Sequence, residues 1–243
     1  MRRGRVVAAV MLGLIGVSLV LPAVASGILG GRLAPLLAAE FDVPEQDVTL
    51  DLALSPVWDL VRGRIGDVGI QVAGYEVATE DGIVLIDPLG VALLNVRIAL
   101  GDAIGGSLEQ VDFAEGLVFA RLPFDALEPL VAPRLARQGL VLSGLAGDGT
   151  GALLIHASIR NVAGSDFTVR AMLEVVDEGL LLADALVIDG ELAAQALIDR
   201  ADLSVSVPDL PAGIVLTEAA ADEQSVRVRG VVAGPLLLTA VTG

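Results

Sequence analysis

Leu52 to Gly74 reads LALSPVWDLVRGRIGDVGIQVAG, and its middle breaks a strand rhythm. Before the break, Val48, Leu50, Leu52 and Leu54 alternate with Thr49, Asp51, Ala53 and Ser55, the period of a half-buried strand. After it, Val68, Ile70 and Val72 alternate again. In between, Ser55 suits an N-cap, Pro56 a first helical position and Gly63 a helix end. Pro56–Val61 therefore reads as a short apolar helix between two strands, and it holds the only tryptophan, Trp58.

Outward from this stretch the chain continues in strands. Upstream, Leu29, Leu33, Leu36 and Leu37 share one face of a helix over Ile28–Phe41, interrupted by Gly30, Gly31 and Pro35 and ended by Pro44. Downstream, Asp81-Gly82 signals a hairpin and Asp87-Pro88 a break. Ala92, Leu94, Val96, Ile98 and Leu100 then form one face of a strand, residues 101–110 a Gly-containing loop, and Val111–Leu122 more strand. Pro123 opens a helical region ending at Gly139, and Pro129 and Pro133 predict that it is kinked or in two pieces. SGLAGDGTG, Ser143–Gly151, reads as a turn. Strands follow at Ala152–Ile159, Phe167–Val176 and Leu180–Ile188, then a short helix near Glu191–Arg200, then strands at Leu203–Val207, Ile214–Glu218 and Ser225–Val232. VGIQVAGYEVATEDGIVLIDPLGVAL (68–93) and FTVRAMLEVVDEGLLLADALVI (167–188) share one pattern, which suggests two similar halves within a single β-rich domain over 26–243. Many strands, short turns and few long helices predict an α+β fold with a mostly antiparallel sheet.

Composition excludes several functions. All 15 basic residues are Arg, three of them precede the first apolar run, and 31 acids give the chain a net charge of −16. Such a surface repels nucleic acid, and with 3% aromatic residues there is no stacking platform for bases. There is no cysteine, so disulfides, thiolate metal sites and thiol nucleophiles are absent. MRRGRVVAAVMLGLIGVSLVLPAVASG has a basic start, an apolar core and an Ala23-Val24-Ala25 site, the layout of an export signal. Its apolar run from Val6 to Ala25 also matches the roughly 20 residues of a membrane-spanning anchor. Residues 1–25 are thus a cleaved signal or a retained anchor, and both place the rest outside the cytoplasm.

Catalytic patterns are missing. The single histidine, His156, cannot make H-E-x-x-H, and no G-x-S-x-G is present to serve a triad. His156 reads as a partly buried strand residue beside Ala152, Leu154 and Ser158. GDGTG (147–151) has neither the order of an aspartic-protease motif nor the following helix of a phosphate cradle. Asp81, Asp87, Asp177, Glu178 and Asp184 fall mostly at turns, where Asp is favoured for local hydrogen bonds. Neither catalysis nor a metal or other cofactor is expected. Arg62 and Arg64 flank Gly63, either as a phosphate-facing pair or as a helix-dipole complement and a solvated neighbour.

The arrangement of Leu33–Phe41, Val48–Leu54, Pro56–Val61, Gly63-Arg64-Ile65 and Val68–Ala73 resembles the LmeA-type family of actinobacterial envelope proteins. VPDLPAGIVLTEAAADEQSVRVRGVVAG (207–234) resembles that family's closing Leu-Pro-x-Gly turn and last hairpin. Two features depart from it: Val57-Trp58 stands where the family's short helix carries Phe after Pro, and the Pro123–Gly139 helix has two extra prolines. The resemblance implies a phospholipid-binding protein of lipoglycan maturation. It also implies a strongly curved antiparallel sheet wrapped on one or two helices, like tubular lipid-binding proteins. On this reading Val57, Trp58, Leu60, Val61, Phe119, Phe124 and Leu127 are offered to lipid tails, and Arg62, Arg64 or Arg121 to a headgroup. Membrane contact is then through the N-terminal segment or transient. The competing expectation is a membrane-anchored scaffold with a filled core and an exposed apolar patch.

Overall fold

The computed structural model describes residues 27, 30–31, 33–54, 63–79, 82–98, 110–176, 179–190, 192–201, 203–206 and 213–237. The N-terminal apolar segment and the helix expected over Pro56–Val61, with Val57, Trp58, Leu60, Val61 and Arg62, lie outside the described residues. The architecture is α+β, with mostly antiparallel sheets and a few helices, and none of the sheets closes into a barrel among the described residues. Those residues form two compact units: up to 71, 91–116 and from 232 on; and 72–90 with 117–231.

In the first unit, helix α1 (33–40) buries Leu33, Leu37 and Ala38, with Phe41 at its end, and leaves Pro35 exposed. It stops where Asp42 turns left-handed (φ 51°) and Val43 N–H bonds back to Ala38 C=O, a Schellman-type end just ahead of Pro44. Strands β1 (Val48–Leu54), β2 (Arg64–Val72) and β5 (Leu89–Arg97) neighbour one another in that order. In β2, Val68, Ile70 and Val72 are buried, as their alternation predicts. β5 departs from expectation. Leu89, Val91 and Leu93 point inward, then Val96 and Ile98, so the buried parity changes midway. Asn95 is the cause: its left-handed backbone (φ 53°) inserts a bulge, and Asp67 Oδ1 accepts its N–H at 3.0 Å. The short strands β6 (Gln110–Val111) and β15 (Leu236–Leu237) pair antiparallel.

The second unit contains a hairpin, two sheets and two helices. β3 (Tyr75–Thr79) and β4 (Gly82–Ile86) pair antiparallel with Thr79 opposite Gly82, the hairpin signalled by Asp81-Gly82. β7 (Glu115–Pro123), β14 (Ser225–Val232) and β13 (Ile214–Ala221) neighbour one another in that order. A five-stranded sheet runs β12 (Ser204–Ser206), β11 (Gly179–Asp189), β10 (Asp166–Val176), β9 (Leu153–Ile159) and β8 (Leu140–Gly147). Its inner face, with Leu140, Leu153, Ile155, Phe167, Val169 and Ala171, forms the core.

β8 corrects the turn expected over Ser143–Gly151. Residues 143–147 extend the strand, and only Asp148–Gly151 turn. The two glycines that read as turn residues have strand roles: Gly144 follows a register shift, and Gly147 lies against the backbone carbonyl of Asp222. β11 repeats the device of β5. Leu180 and Leu182 are buried, Asp184 turns left-handed (φ 48°), and beyond it Leu186 and Ile188 face solvent. Apolar residues on both sides of this strand therefore mark a change of face, not a strand buried on both.

Helix α2 (Phe124–Arg137) is one element rather than two. Phe124, Leu127, Leu130, Val131 and Leu135 make its buried stripe, facing β8 and β4. Pro129 and Pro133, one turn apart, are both exposed, so the carbonyls they leave unpaired face water. Asp125 in the first turn and Arg134 and Arg137 in the last complement the helix dipole, and Gly139 (φ 77°) ends the helix.

Helix α3 (Leu192–Ile198) covers an edge. β12 pairs β11 only over Gly179–Leu181. Farther along, Gln195 takes a strand's place: its Oε1 accepts Val187 N–H at 2.7 Å and its Nε2 donates to Ala185 C=O at 3.0 Å. An exposed ladder edge is thereby closed by a side chain.

Candidate functional site

The alternation of β7 turns Val118, Ala120 and Leu122 to one side, and that of β14 turns Val226 and Val228 to the same side. The ladder sets Val228 opposite Ala120 and Val226 opposite Leu122. With Ile214 and Leu216 from β13, Ile86 and Leu89 from the β4–β5 junction and Leu180 from β11, these strands enclose a cleft. Its lining is Ile86, Leu89, Val118, Ala120, Leu122, Leu180, Ile214, Leu216 and Val228, all aliphatic. The cavity they leave is small, about 20 Å³. A wall without one side-chain donor or acceptor suits a ligand that brings none, and Ala120 is its smallest member.

On the other side of β7 and β14 lies an open polar groove of about 490 Å³, lined by Arg121, Pro123, Asp222, Glu223, Gln224, Ser225 and Arg227. Asp222 organises its turn. Oδ1 accepts from Gln224 N–H (3.0 Å), Ser225 N–H (2.8 Å) and Ser225 Oγ (2.8 Å), and Oδ2 faces Arg227 Nε at 3.3 Å. Burial opposes its charge, but the Gln224 and Ser225 hydrogen bonds and the Arg227 guanidinium together hold the carboxyl below its ordinary range.

A second turn is built the same way. Asp148 accepts from Thr150 Oγ1 (2.6 Å), Thr150 N–H (2.7 Å), Arg170 Nε (2.8 Å) and Ala152 N–H (3.1 Å). The Thr150 bonds first, then those from Arg170 and Ala152, hold its carboxyl far below the ordinary range. Stability from such a depressed carboxylate is present above the unfolded value, 3.8, and is lost as pH falls through the folded one. Asp148→Asn is therefore expected to lower the melting temperature at pH 7, and the two proteins' melting temperatures to converge as pH falls well below 3.8. Thermal melts from pH 2 to 7 check this; a constant offset across the range would contradict it.

The sequence-predicted residues are dispersed. Phe119 is on the face of β7 away from the cleft, 42% exposed, with its ring over Gly90. Phe124 and Leu127 are buried in the stripe of α2 and do not line the cleft. Arg121 lines the polar groove, and Arg64 is exposed at the start of β2. His156 is an ordinary strand residue but exposed, its Nδ1 3.1 Å from Thr168 Oγ1 on the next strand. Among the described residues no three His, Asp or Glu are grouped to hold a metal ion. The aliphatic lining went unread as a site, although EGLVFARLP and SVRVRGVV carry its signal: Arg121, Arg227 and Arg229 mark the outward parity, leaving Val118, Ala120, Leu122, Val226 and Val228 inside.

The sequence pattern of a family described as LmeA-like phospholipid-binding matches residues 21–231, most of the chain. The chain belongs to this LmeA-like phospholipid-binding family. The match runs through every strand that lines the cleft. No curated protein and no solved structure matches the chain.

Proposed function

We propose that this member of the family is an exported lipid carrier of the cell envelope, which binds phospholipid by its acyl chains and passes it on chemically unchanged, in support of lipid or lipoglycan assembly. The observation that supports this reading is the all-aliphatic cleft of β7, β14 and β13. Tail burial supplies about 0.8 kcal/mol per CH₂, a source of affinity independent of headgroup charge. That suits a chain whose charge of −16 repels anionic headgroups. The walls stand too close for a chain to enter as they are, so uptake parts them, and the ligand stabilises the opened form.

Export is supported by the basic start, apolar run and Ala23-Val24-Ala25 site, with residues 1–25 removed or kept as an anchor. No helix among the described residues is long and apolar enough to cross a membrane. The tubular, strongly curved form of sheet belongs to the same proposal, supported by the strand-rich antiparallel architecture and the family.

The test is native mass spectrometry and organic extraction of the chain purified without detergent from a bacterial host. Phospholipid in stoichiometric amount is the expected result. Lipid-free protein that also takes up no fluorescent fatty acid would overturn the carrier reading. It would favour a scaffold, the reading to which the exposed Met172, Leu186 and Ile188 belong.

A further inference from the structure

The five-stranded sheet changes character at one level. β9 pairs β10 from Asp166 to Ala171 and no further. There the β10–β11 register shifts between Arg170 and Met172, and the left-handed Asp184 (φ 48°) absorbs the extra residue. Beyond the shift, Met172–Val176 and Gly179–Ala183 form a hairpin tip. Its strands have only each other and, at Gly179–Leu181, the three-residue β12 as ladder partners among the described residues. Leu180 of this tip lines the cleft, and Val175, directly opposite it, lies on the same side.

β13 takes the place that β9 leaves. It is the last strand of its own sheet, so one of its edges has no ladder. Its Ala221 N–H bonds to Gly151 C=O at 2.8 Å, two residues before β9 begins. From there β10 and β13 lie side by side. Their Cα atoms come within 8 Å, nearer than the roughly 10 Å of sheets stacked face to face. The base of β10 has a strand on each side, so the part whose edge meets β13 is the tip. No ladder and, among the described residues, no backbone hydrogen bond joins these two edges. Other parts of the wall are bonded. Asp87 N–H donates to Arg121 C=O (2.9 Å), Arg121 N–H donates to Pro88 C=O (3.2 Å), and β7 and β14 share a ladder from Leu117 to Pro123.

We propose that the seam between Met172–Val176 and Ile214–Ala221 is the portal through which an acyl chain enters the cleft. Parting it breaks no ladder, whereas passage between β7 and β14 would break one. The seam is pinned where Ala221 meets Gly151. It opens towards Ile214 as the hairpin tip swings about the bulge at Asp184 and carries β12 with it. Admitting a chain takes one added layer of carbon atoms, about 4 Å. Ile214 and Leu216 stand inside the seam on one side and Leu180 on the other, so a chain that passes it is already in the cleft. Val176 and Val215, of opposite parity and 42% and 48% exposed, give an apolar approach from outside. The portal deepens the lipid-carrier reading and rests on it.

The absence of native cysteine makes the seam easy to tie. In the full chain, Val176→Cys with Val215→Cys is bridged by a short bismaleimide that a reductant cleaves. Leu117→Cys with Val231→Cys, paired across the β7–β14 ladder, is the control tie. The probe is a fatty acid carrying a terminal NBD group, its uptake followed by the rise in NBD emission, with Ala120→Phe as background. The tied seam is expected to slow uptake at least tenfold and to recover on reduction, while the control tie changes nothing. Uptake at the untied rate through a tied seam would overturn the portal and leave the cleft reading standing. Equal slowing by both ties would overturn it too, as would cysteines at 176 and 215 that no bridge joins. An untied protein with no uptake above background would instead bring down the carrier reading, and the portal with it.

Discussion

Ala120→Phe is expected to cut co-purified phospholipid at least tenfold while leaving the protein folded. Ala120 is the smallest side chain in the cleft wall and sits mid-strand, opposite Val228. A ring there occupies the space a tail would take. The cleft is nearly closed, so the ring overpacks it at a cost of about 1–3 kcal/mol. For a chain of this length that is a loss of roughly 2–12 °C in melting temperature. Ala120→Leu should fall between wild type and Phe in both readouts, and it keeps the series informative if the larger residue misfolds. Val141→Phe, on the exposed side of β8, should change neither. Lipid yield per folded chain, with circular dichroism and a thermal melt, decides the matter. A folded Ala120→Phe protein with wild-type lipid would place the tails elsewhere.

The elements legible in the sequence are those whose cause is local. The β10–β11 hairpin was readable because Asp177-Glu178-Gly179 separates two apolar runs, and the ladder closes with Val176 opposite Gly179. The extent of α2 was readable from Pro123 and Gly139, although its unity was not. That depends on both internal prolines lying on the solvent side, a property of packing. The face changes at Asn95 and Asp184 were hidden for the same reason: a left-handed residue within a strand is fixed by its partners, as Asp67 fixes Asn95. The cleft was least legible. It joins Ile86 to Leu216 and Val118 to Val228, side chains more than a hundred residues apart that no periodicity brings together. Phe119, offered to tails on the resemblance, shares its parity with Arg121 two positions on, which faces water.

Gly147→Ala is expected to be among the most destabilising single substitutions in the chain, at about 3–4 kcal/mol, or roughly 6–16 °C in melting temperature. A Cβ at 147 would run into the carbonyl oxygen and carbon of Asp222, and backbone cannot swing aside as a side chain can. Neither neighbour has slack. The turn after Gly147 is held by the four hydrogen bonds to Asp148, and the turn at Asp222 by the three that its own Oδ1 accepts. Ala221 N–H also bonds to Gly151 C=O at 2.8 Å, so a shift at either turn pulls on the other. Gly149→Ala is the control. Gly149 is left-handed (φ 76°) but has open space where a Cβ would go, so only backbone strain of about 1–2 kcal/mol applies. If close approach is what requires glycine at 147, the ordering 147 well above 149 holds in denaturant melts; equal costs would refute it. The displaced strand would be β13, which carries Ile214 and Leu216 into the cleft, so the same substitution should also lower lipid yield per folded chain. The seat of two stapled turns on each other thus sets the position of a cleft wall from its far end.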